Sequence, residues 1–143
     1  MNIKSNILFV DDETFSLKMI RRAFLDKPYN LFFATNGKEA LDILSKEEIK
    51  VIITDLEMPI LNGTALIELV QKTYPNIVKI ILSGNIDSQD ILYIQNNSNI
   101  FKCLVKPLHF STELFTTIDE AILQYEENAK EENQSTKLQF GKQ

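Results

Sequence analysis

The sequence predicts an α/β fold: a five-stranded parallel sheet in the doubly wound order 2-1-3-4-5, with helices on both faces. Short apolar runs alternate five times with segments of helical periodicity, which is the pattern of βαβ units. The apolar runs are rich in Val and Ile and carry almost no charge, as in strands that are buried on both faces. Right-handed crossovers between such strands place helices on both sides of the sheet.

Composition limits the class of protein. The 143 residues, with 44% hydrophobic and 24% charged side chains, suit a single globular domain. A net charge of -5 argues against a direct nucleic-acid surface, since such surfaces are usually basic. Cys103 is the one cysteine, so no internal disulfide forms and a reducing compartment is favoured. The first apolar run is too short for a signal peptide or a membrane span, which predicts a cytoplasmic protein.

The first half of the chain supplies three strands and two helices. Residues 7–10, 31–34 and 51–53 are the predicted strands. The first helix has apolar residues at steps of three and four and ends at Pro28. Phe15 and Leu17 in this helix are expected to lie in the core. The second helix begins at the Asn36-Gly37 turn, and its apolar residues are Ala40, Leu41 and Leu44.

The second half repeats the alternation. A third helix starts at Asn62-Gly63 and ends at Tyr74-Pro75, and strands are predicted at residues 78–82 and 101–105. Between these strands, Asp87 with Asp90 three residues later is typical of a helix N-terminus. Ser111 is the predicted cap of a last helix. The apolar stripe of that helix is Leu114, Ile118, Ile122 and Tyr125.

The C-terminal segment differs in composition from the rest. We assign residues 1–126 to the folded domain and residues 127–143 to a polar C-terminal tail or truncated linker. Two interpretations stay open for this segment. It is either a frayed helix end followed by a disordered tail, or the start of a helical linker to a further domain.

Polar side chains follow four of the five predicted strands. Asp11 and Asp12 follow the first strand, Asp55 ends the third, Ser83 ends the fourth and Lys106 ends the fifth. In a parallel sheet these ends share one edge, and strands one and three are neighbours at the topological switch point. We therefore expect three carboxylates, a hydroxyl and an ammonium in one crevice.

This grouping suggests a chemistry that no member suggests alone. Taken one at a time, the Asp11-Asp12 pair fits a solvated turn, Ser83 fits a helix cap and Lys106 fits a strand end. Three close carboxylates repel one another, and a divalent cation such as Mg²⁺ or Mn²⁺ removes that conflict. A metal beside Asp55 prepares it as a nucleophile toward phosphorus, with Lys106 and Ser83 placed to hold phosphoryl oxygens. Backbone N–H groups near Glu57 and Gly84 supply further donors.

The residues at these strand ends resemble a known family. The resemblance covers about residues 5 to 125 and is to the receiver domain of bacterial two-component response regulators, a flavodoxin-like (βα)5 fold. The motifs that carry it are Phe9-Val10-Asp11-Asp12-Glu13, Asp55-Leu56-Glu57-Met58-Pro59, Asn62-Gly63, Leu82-Ser83-Gly84 and Leu104-Val105-Lys106-Pro107. Their combination in this order and spacing is specific.

The resemblance implies a role for each acidic residue. By position, Asp55 is the phosphoacceptor. Asp12 and Asp55 are implied as direct Mg²⁺ ligands together with the backbone carbonyl of Glu57, and Asp11 is implied to act largely through water.

The resemblance also implies a switch and partners. Ser83 corresponds to the switch hydroxyl and Lys106 to the phosphate-binding lysine. A sensor histidine kinase or phosphotransfer protein is the implied phosphodonor. Phosphorylation is implied to shift the fourth helix, fifth strand and fifth helix, and so to change the binding of an output partner or a missing output domain. The family signals and acts on no outside substrate, so no enzyme activity is expected beyond its own phosphoryl transfer and dephosphorylation.

One position departs from the family pattern. Receivers usually carry an aromatic residue three positions before the lysine, and this chain has Cys103 there. Phe101 is expected on the same side of the strand as Cys103 and is a candidate substitute. Two rivals stay open: a degenerate receiver that acts as a scaffold, and a flavodoxin-like cofactor binder. The second would need a Ser/Thr/Gly-rich loop after strand one, where this chain has Asp11-Asp12-Glu13.

Overall fold

A computed structural model describes residues 4–106 and 112–141 of the chain. The strands are β1 Ser5–Val10, β2 Tyr29–Ala34, β3 Val51–Thr54, β4 Val78–Ser83 and β5 Ile100–Val105. The helices are α1 Thr14–Ala23, α2 Gly37–Lys46, α3 Gly63–Thr73, α4 Ser88–Gln95 and α5 Thr112–Gly141. All strand pairs are parallel and the order is β2-β1-β3-β4-β5, which confirms the predicted fold.

Two apolar layers cover the sheet, one on each face. Helices α1 and α5 contribute the first layer, for example through Leu17 and Leu114, and α2 and α3 contribute the second through Leu44 and Leu66. The central strand β3 is buried along its whole length, in keeping with its unbroken β-branched run. Leu17 lies in the core as expected, but Phe15 is 66% exposed, so its predicted core position is wrong.

Side-chain caps fix the starts of three helices where the sequence predicts them. The Asn36 side chain accepts a hydrogen bond from the Glu39 N–H, and the Asn62 side chain accepts one from the Ala65 N–H. Asp87 and Asp90 cap each other's backbone N–H groups at the start of α4. The predicted cap at Ser111 lies outside the described residues. Helix α4 has no buried residue, so the hydrogen bonds of its cap contribute much to fixing where it begins.

A β-bulge in β5 separates Phe101 from Cys103. Lys79 pairs with Ile100, but the next residue of β4, Ile80, pairs with Lys102, so Phe101 is the extra residue. The bulge reverses the alternation of side chains. Phe101 therefore packs in the α1 and α5 layer, whereas Cys103 packs on the opposite face. The prediction that the two side chains share a side is wrong, because simple alternation holds only in an unbulged strand.

Helix α5 continues well beyond the sheet. Residues 127–141 form the C-terminal part of this helix. Polar contacts hold the continuation against the loops that precede β3 and β4. Lys50 pairs with Glu126 at 2.6 Å, the Asn128 side chain donates to the Asn76 carbonyl at 3.1 Å, and the Asn76 side chain donates to Glu132. The assignment of these residues to a tail or a linker stays a prediction.

Candidate functional site

Strand pairing positions the predicted site residues at one edge of the sheet. The Asp11 N–H donates to the Ala34 carbonyl at 3.0 Å, and the Asp55 N–H donates to the Val10 carbonyl at 3.0 Å. The Lys106 N–H donates to the carbonyl of Ser83 at 2.9 Å. These backbone bonds extend the ladders by one residue beyond the strands. The side chains that follow are thus held by the sheet rather than by loose loops.

Three carboxylates meet at this edge. One oxygen from each of Asp11, Asp12 and Asp55 lies within 4.8 Å of the others. Asp11 is only 4% exposed, Asp55 is partly buried and Asp12 faces solvent. The Glu13 N–H donates to Asp11 at 2.9 Å and holds that side chain in the turn. A set of carboxylate oxygens, open on the Asp12 side, fits a hard divalent cation that keeps some of its water.

Lys106 brings a positive charge into the same cluster. Its Nζ forms a short ion pair with Asp11 and a second ion pair with Asp55 at 3.3 Å. Burial alone would lower the pKa of Lys106, but the hydrogen bond and charge of Asp11 and the charge of Asp55 raise it above its ordinary value. The ammonium is therefore held protonated, and it offsets part of the repulsion among the carboxylates.

The two oxygens of Asp55 have different partners. Oδ1 accepts hydrogen bonds from the Ser83 hydroxyl at 2.9 Å and from the Leu56 N–H at 2.7 Å. The Glu57 N–H approaches the same oxygen at 3.4 Å. Oδ2 faces Lys106. Asp55 is thus the one carboxylate at the centre of the group, with donors around it that could also hold an attached group.

Gly63 lies against the backbone of Asp55. A Cβ added at Gly63 would be 2.0 Å from the Asp55 carbonyl oxygen and 2.7 Å from the Cα of Leu56. The Gly63 N–H donates to the Leu56 carbonyl at 2.8 Å, so the start of α3 is locked to the end of β3. The sequence indicates Gly63 only as the start of a helix and as part of a family motif, since a glycine after an Asn cap does not reveal what approaches it.

A cleft opens from the carboxylates toward α4. It has a volume of about 500 Å³, and its walls include Asp12, Glu57, Asn62 and Asp90. The sequence predicts Asp90 only as part of the helix cap, and the structure also places this residue in the cleft wall. The Glu57 carbonyl as a metal ligand stays a prediction.

Cys103 belongs to the packing beneath α4. Burial, with a smaller contribution from the charge of Asp90, raises the pKa of its thiol. The thiol is protonated, half-buried and packed against an apolar cluster that includes Ile67 and Ile81, so Cys103 serves as a small apolar side chain rather than as a reactive group.

The family follows from comparison with known proteins. The sequence model of the response regulator receiver domain family matches residues 7–119. The chain belongs to this family. The receiver resemblance is therefore confirmed, and the flavodoxin-like cofactor binder is no longer needed as an explanation.

Curated relatives are longer proteins that contain a similar segment. The chain is 33% identical over 119 residues to the hydrogenase transcriptional regulatory protein HoxA of Cupriavidus necator, covering 83% of this chain and 24% of that protein. It is 29% identical over 120 residues to the transcriptional regulatory protein GlrR of Escherichia coli, covering 84% and 27%. The chain thus spans about a quarter of the length of these relatives.

Solved receiver structures share the fold. A response regulator receiver domain from Clostridium thermocellum matches with a TM-score of 0.76 at 30% identity, over 85% of this chain and 97% of that one. The receiver domain of an HD domain-containing protein from Pseudomonas fluorescens matches with a TM-score of 0.82 at 26% identity, over 87% and 99%. In the part of the chain that the structure describes, none of the helices combines the length and apolar character needed to cross a membrane.

Proposed function

We propose that this receiver accepts a phosphoryl group on Asp55 and signals by changing which partner it binds. The observation that carries the proposal is the placement of Asp55. One of its oxygens accepts the Ser83 hydroxyl and the other faces Lys106, beside two further carboxylates. Groups that neutralise charge around a central carboxylate are what phosphoryl transfer requires, since the protein contributes mainly position and charge.

The carboxylates fit a bound Mg²⁺, with Mn²⁺ as an alternative. Asp12 and Asp55 would hold it directly together with the backbone carbonyl of Glu57, and Asp11 would act largely through water. The ion would neutralise negative charge on the carboxylates and on the incoming phosphoryl oxygens. The donors are all oxygen, which is the ligand type that this class of ion prefers.

The side chains divide the chemistry between them. A carboxylate oxygen of Asp55 forms the new bond to phosphorus as the bond from phosphorus to the donor's histidine nitrogen breaks. Lys106 stays protonated and balances charge on the transferred group. The Ser83 hydroxyl is free to donate to a phosphoryl oxygen once the Asp55 oxygen that it now contacts is bonded to phosphorus in the acyl phosphate. The phosphodonor in this proposal is a sensor histidine kinase or phosphotransfer protein.

The proposed response moves the α4, β5 and α5 face. Ser83 ends β4 and lies next to Val105 of β5, so displacement of its hydroxyl acts on that strand. Helix α4 is the easiest element to shift, because it contributes no buried residue to the core. In this proposal the receiver works in the cytoplasm and catalyses no reaction other than its own phosphorylation and dephosphorylation. It contacts no nucleic acid or membrane itself, and an output partner or further domain receives the signal.

A phosphotransfer assay tests the proposal. Purified, labelled histidine kinases or phosphotransfer proteins are mixed with the chain in Mg²⁺ and in EDTA. We expect at least one donor to pass its label to the chain in Mg²⁺ only. Transfer that proceeds equally in EDTA would contradict the assigned role of the carboxylates. Label that survives the Asp55→Asn substitution would contradict the assigned acceptor.

A further inference from the structure

A second cleft lies at the opposite edge of the sheet, where β4 and β5 begin. Its volume is about 820 Å³, within the range of small-molecule sites. Its walls are formed by the end of α3, the loop after α3 with the start of β4, the loop between α4 and β5 with the start of β5, and residues 124–132 of α5. The polar residues of these walls include Gln71, Lys79, Asn99, Gln124, Asn128 and Glu131.

Lys79 supplies a buried positive charge to this cleft. It is 2% exposed, and its Nζ donates to the Ile77 carbonyl at 2.6 Å. Lys79 forms no ion pair within the described residues, although a buried ammonium is costly without one. Burial lowers its pKa to about 8. An ammonium has three N–H donors, so Lys79 has donors left for a ligand in the cleft.

The wall formed by α5 supplies the opposite charge. Glu131 lines the cleft together with Glu132, Gln124 and Asn128. A purely anionic ligand would meet the carboxylate of Glu131, and a purely cationic ligand would meet Lys79. Carboxamides on the remaining wall both donate and accept hydrogen bonds. These charges and amides favour a ligand that carries a carboxylate and an ammonium at once.

We propose that this cleft binds a free amino acid or a similar small zwitterion. Its carboxylate accepts hydrogen bonds from Lys79, and its ammonium faces Glu131. The amide side chains contact the remainder of the ligand. The site is separate from the carboxylates around Asp55, and its occupation needs no phosphorylation.

Thermal unfolding of the whole chain tests the proposal. The individual L-amino acids are the probes, each at a concentration that saturates a weak site. We expect at least one to raise Tm by about 2 °C or more, because a ligand that binds only the native state stabilises it. Lys79→Met and Glu131→Gln are expected to abolish this rise. Glu127→Gln is the matched control, since this exposed residue of α5 does not line the cleft, and it should keep the full rise.

Derivatives of the active amino acid test the pairing of charges. The amide lacks the carboxylate and the N-acetyl derivative lacks the ammonium, so neither should raise Tm. The proposal is overturned if no amino acid stabilises the wild type, if Lys79→Met responds as the wild type does, or if both derivatives act as well as the parent. Because Asp55 takes no part in the readout, Asp55→Asn should respond normally.

Discussion

Replacing Lys79 by Met should make the protein more stable at neutral pH. The lysine is buried in β4 and lacks a carboxylate partner within the described residues. Methionine has a similar length and fills the same space without a charge. The substitution therefore removes the cost of keeping an ammonium away from water and leaves the apolar packing of the stem in place.

The magnitude follows from the pKa of Lys79. Its fall from 10.5 to about 8 corresponds to about 3 kcal/mol, at about 1.36 kcal/mol for each unit of pKa. The carbonyl of Ile77 loses its donor in the variant, which costs about 1 kcal/mol. The net gain in the free energy of unfolding at pH 7 is thus on the order of 2 kcal/mol.

The pH dependence gives a second signature. Because the pKa of Lys79 is lower in the folded state, the unfolded chain binds more protons from about pH 8 upward. This residue therefore makes the wild type more stable as pH rises from about 8 toward its unfolded pKa of 10.5, and the variant lacks that contribution. The advantage of the variant should shrink over this range. Tyrosines titrate in both proteins, so their effect cancels in the difference.

Urea unfolding of both proteins from about pH 7 to about pH 9.5 measures these quantities. Equal stability of the two proteins at neutral pH, or a difference that does not change with pH, would show that the buried ammonium of Lys79 does not destabilise the fold. A variant less stable than the wild type at pH 7 would show that Lys79 has a stabilising partner.

Three further predictions concern the carboxylate site. Lys106→Met removes the cation that pairs with Asp11 and Asp55. The free energy of unfolding, measured with urea in the presence of EDTA, should therefore fall by about 1–3 kcal/mol. An unchanged free energy would contradict this prediction. Mg²⁺ should raise Tm of the wild type, and it should raise Tm of Lys106→Met by more because the variant's carboxylates repel one another more strongly. An equal rise in the two proteins would contradict this prediction. Gly63→Ala should lower the free energy of unfolding in urea by more than about 2 kcal/mol. Gly84→Ala should lower it by under about 1 kcal/mol, because the nearest atom is 3.4 Å from the added Cβ. Similar losses in the two variants would contradict the close approach of Gly63 to the Asp55 backbone.

The sheet order could be predicted from the alternation of strands and helices. The grouping of polar residues could be predicted because these residues lie at the ends of the strands. Apolar runs such as residues 51–53 give the strands, and a parallel sheet brings all their carboxyl ends to one edge. The structure brings Asp11, Asp55, Ser83 and Lys106 together at that edge. Their chemical roles stay predictions. Lys79 is a charged residue within a predicted strand, but the sequence does not indicate the cleft beside it.

Other features depend on tertiary contacts that local pattern does not carry. The bulge at Phe101 changes which face its side chain takes, and one added residue in a strand leaves no mark in the apolar run. The polar part of α5 is helical and is held by contacts of Glu126 and Asn128 with the loops before β3 and β4, which are distant in the sequence. Phe15 is apolar, yet it faces solvent at the start of α1, as single apolar residues often do.

Intact mass spectrometry after incubation with acetyl phosphate and Mg²⁺ is the most direct test of Asp55 as phosphoacceptor. We expect one added phosphoryl group on the wild type and none on Asp55→Asn, with both proteins folded. A phosphoryl group on folded Asp55→Asn would contradict the assignment. A folded wild type that binds Mg²⁺ but takes no phosphoryl group from acetyl phosphate or from any histidine kinase would instead be a silent scaffold.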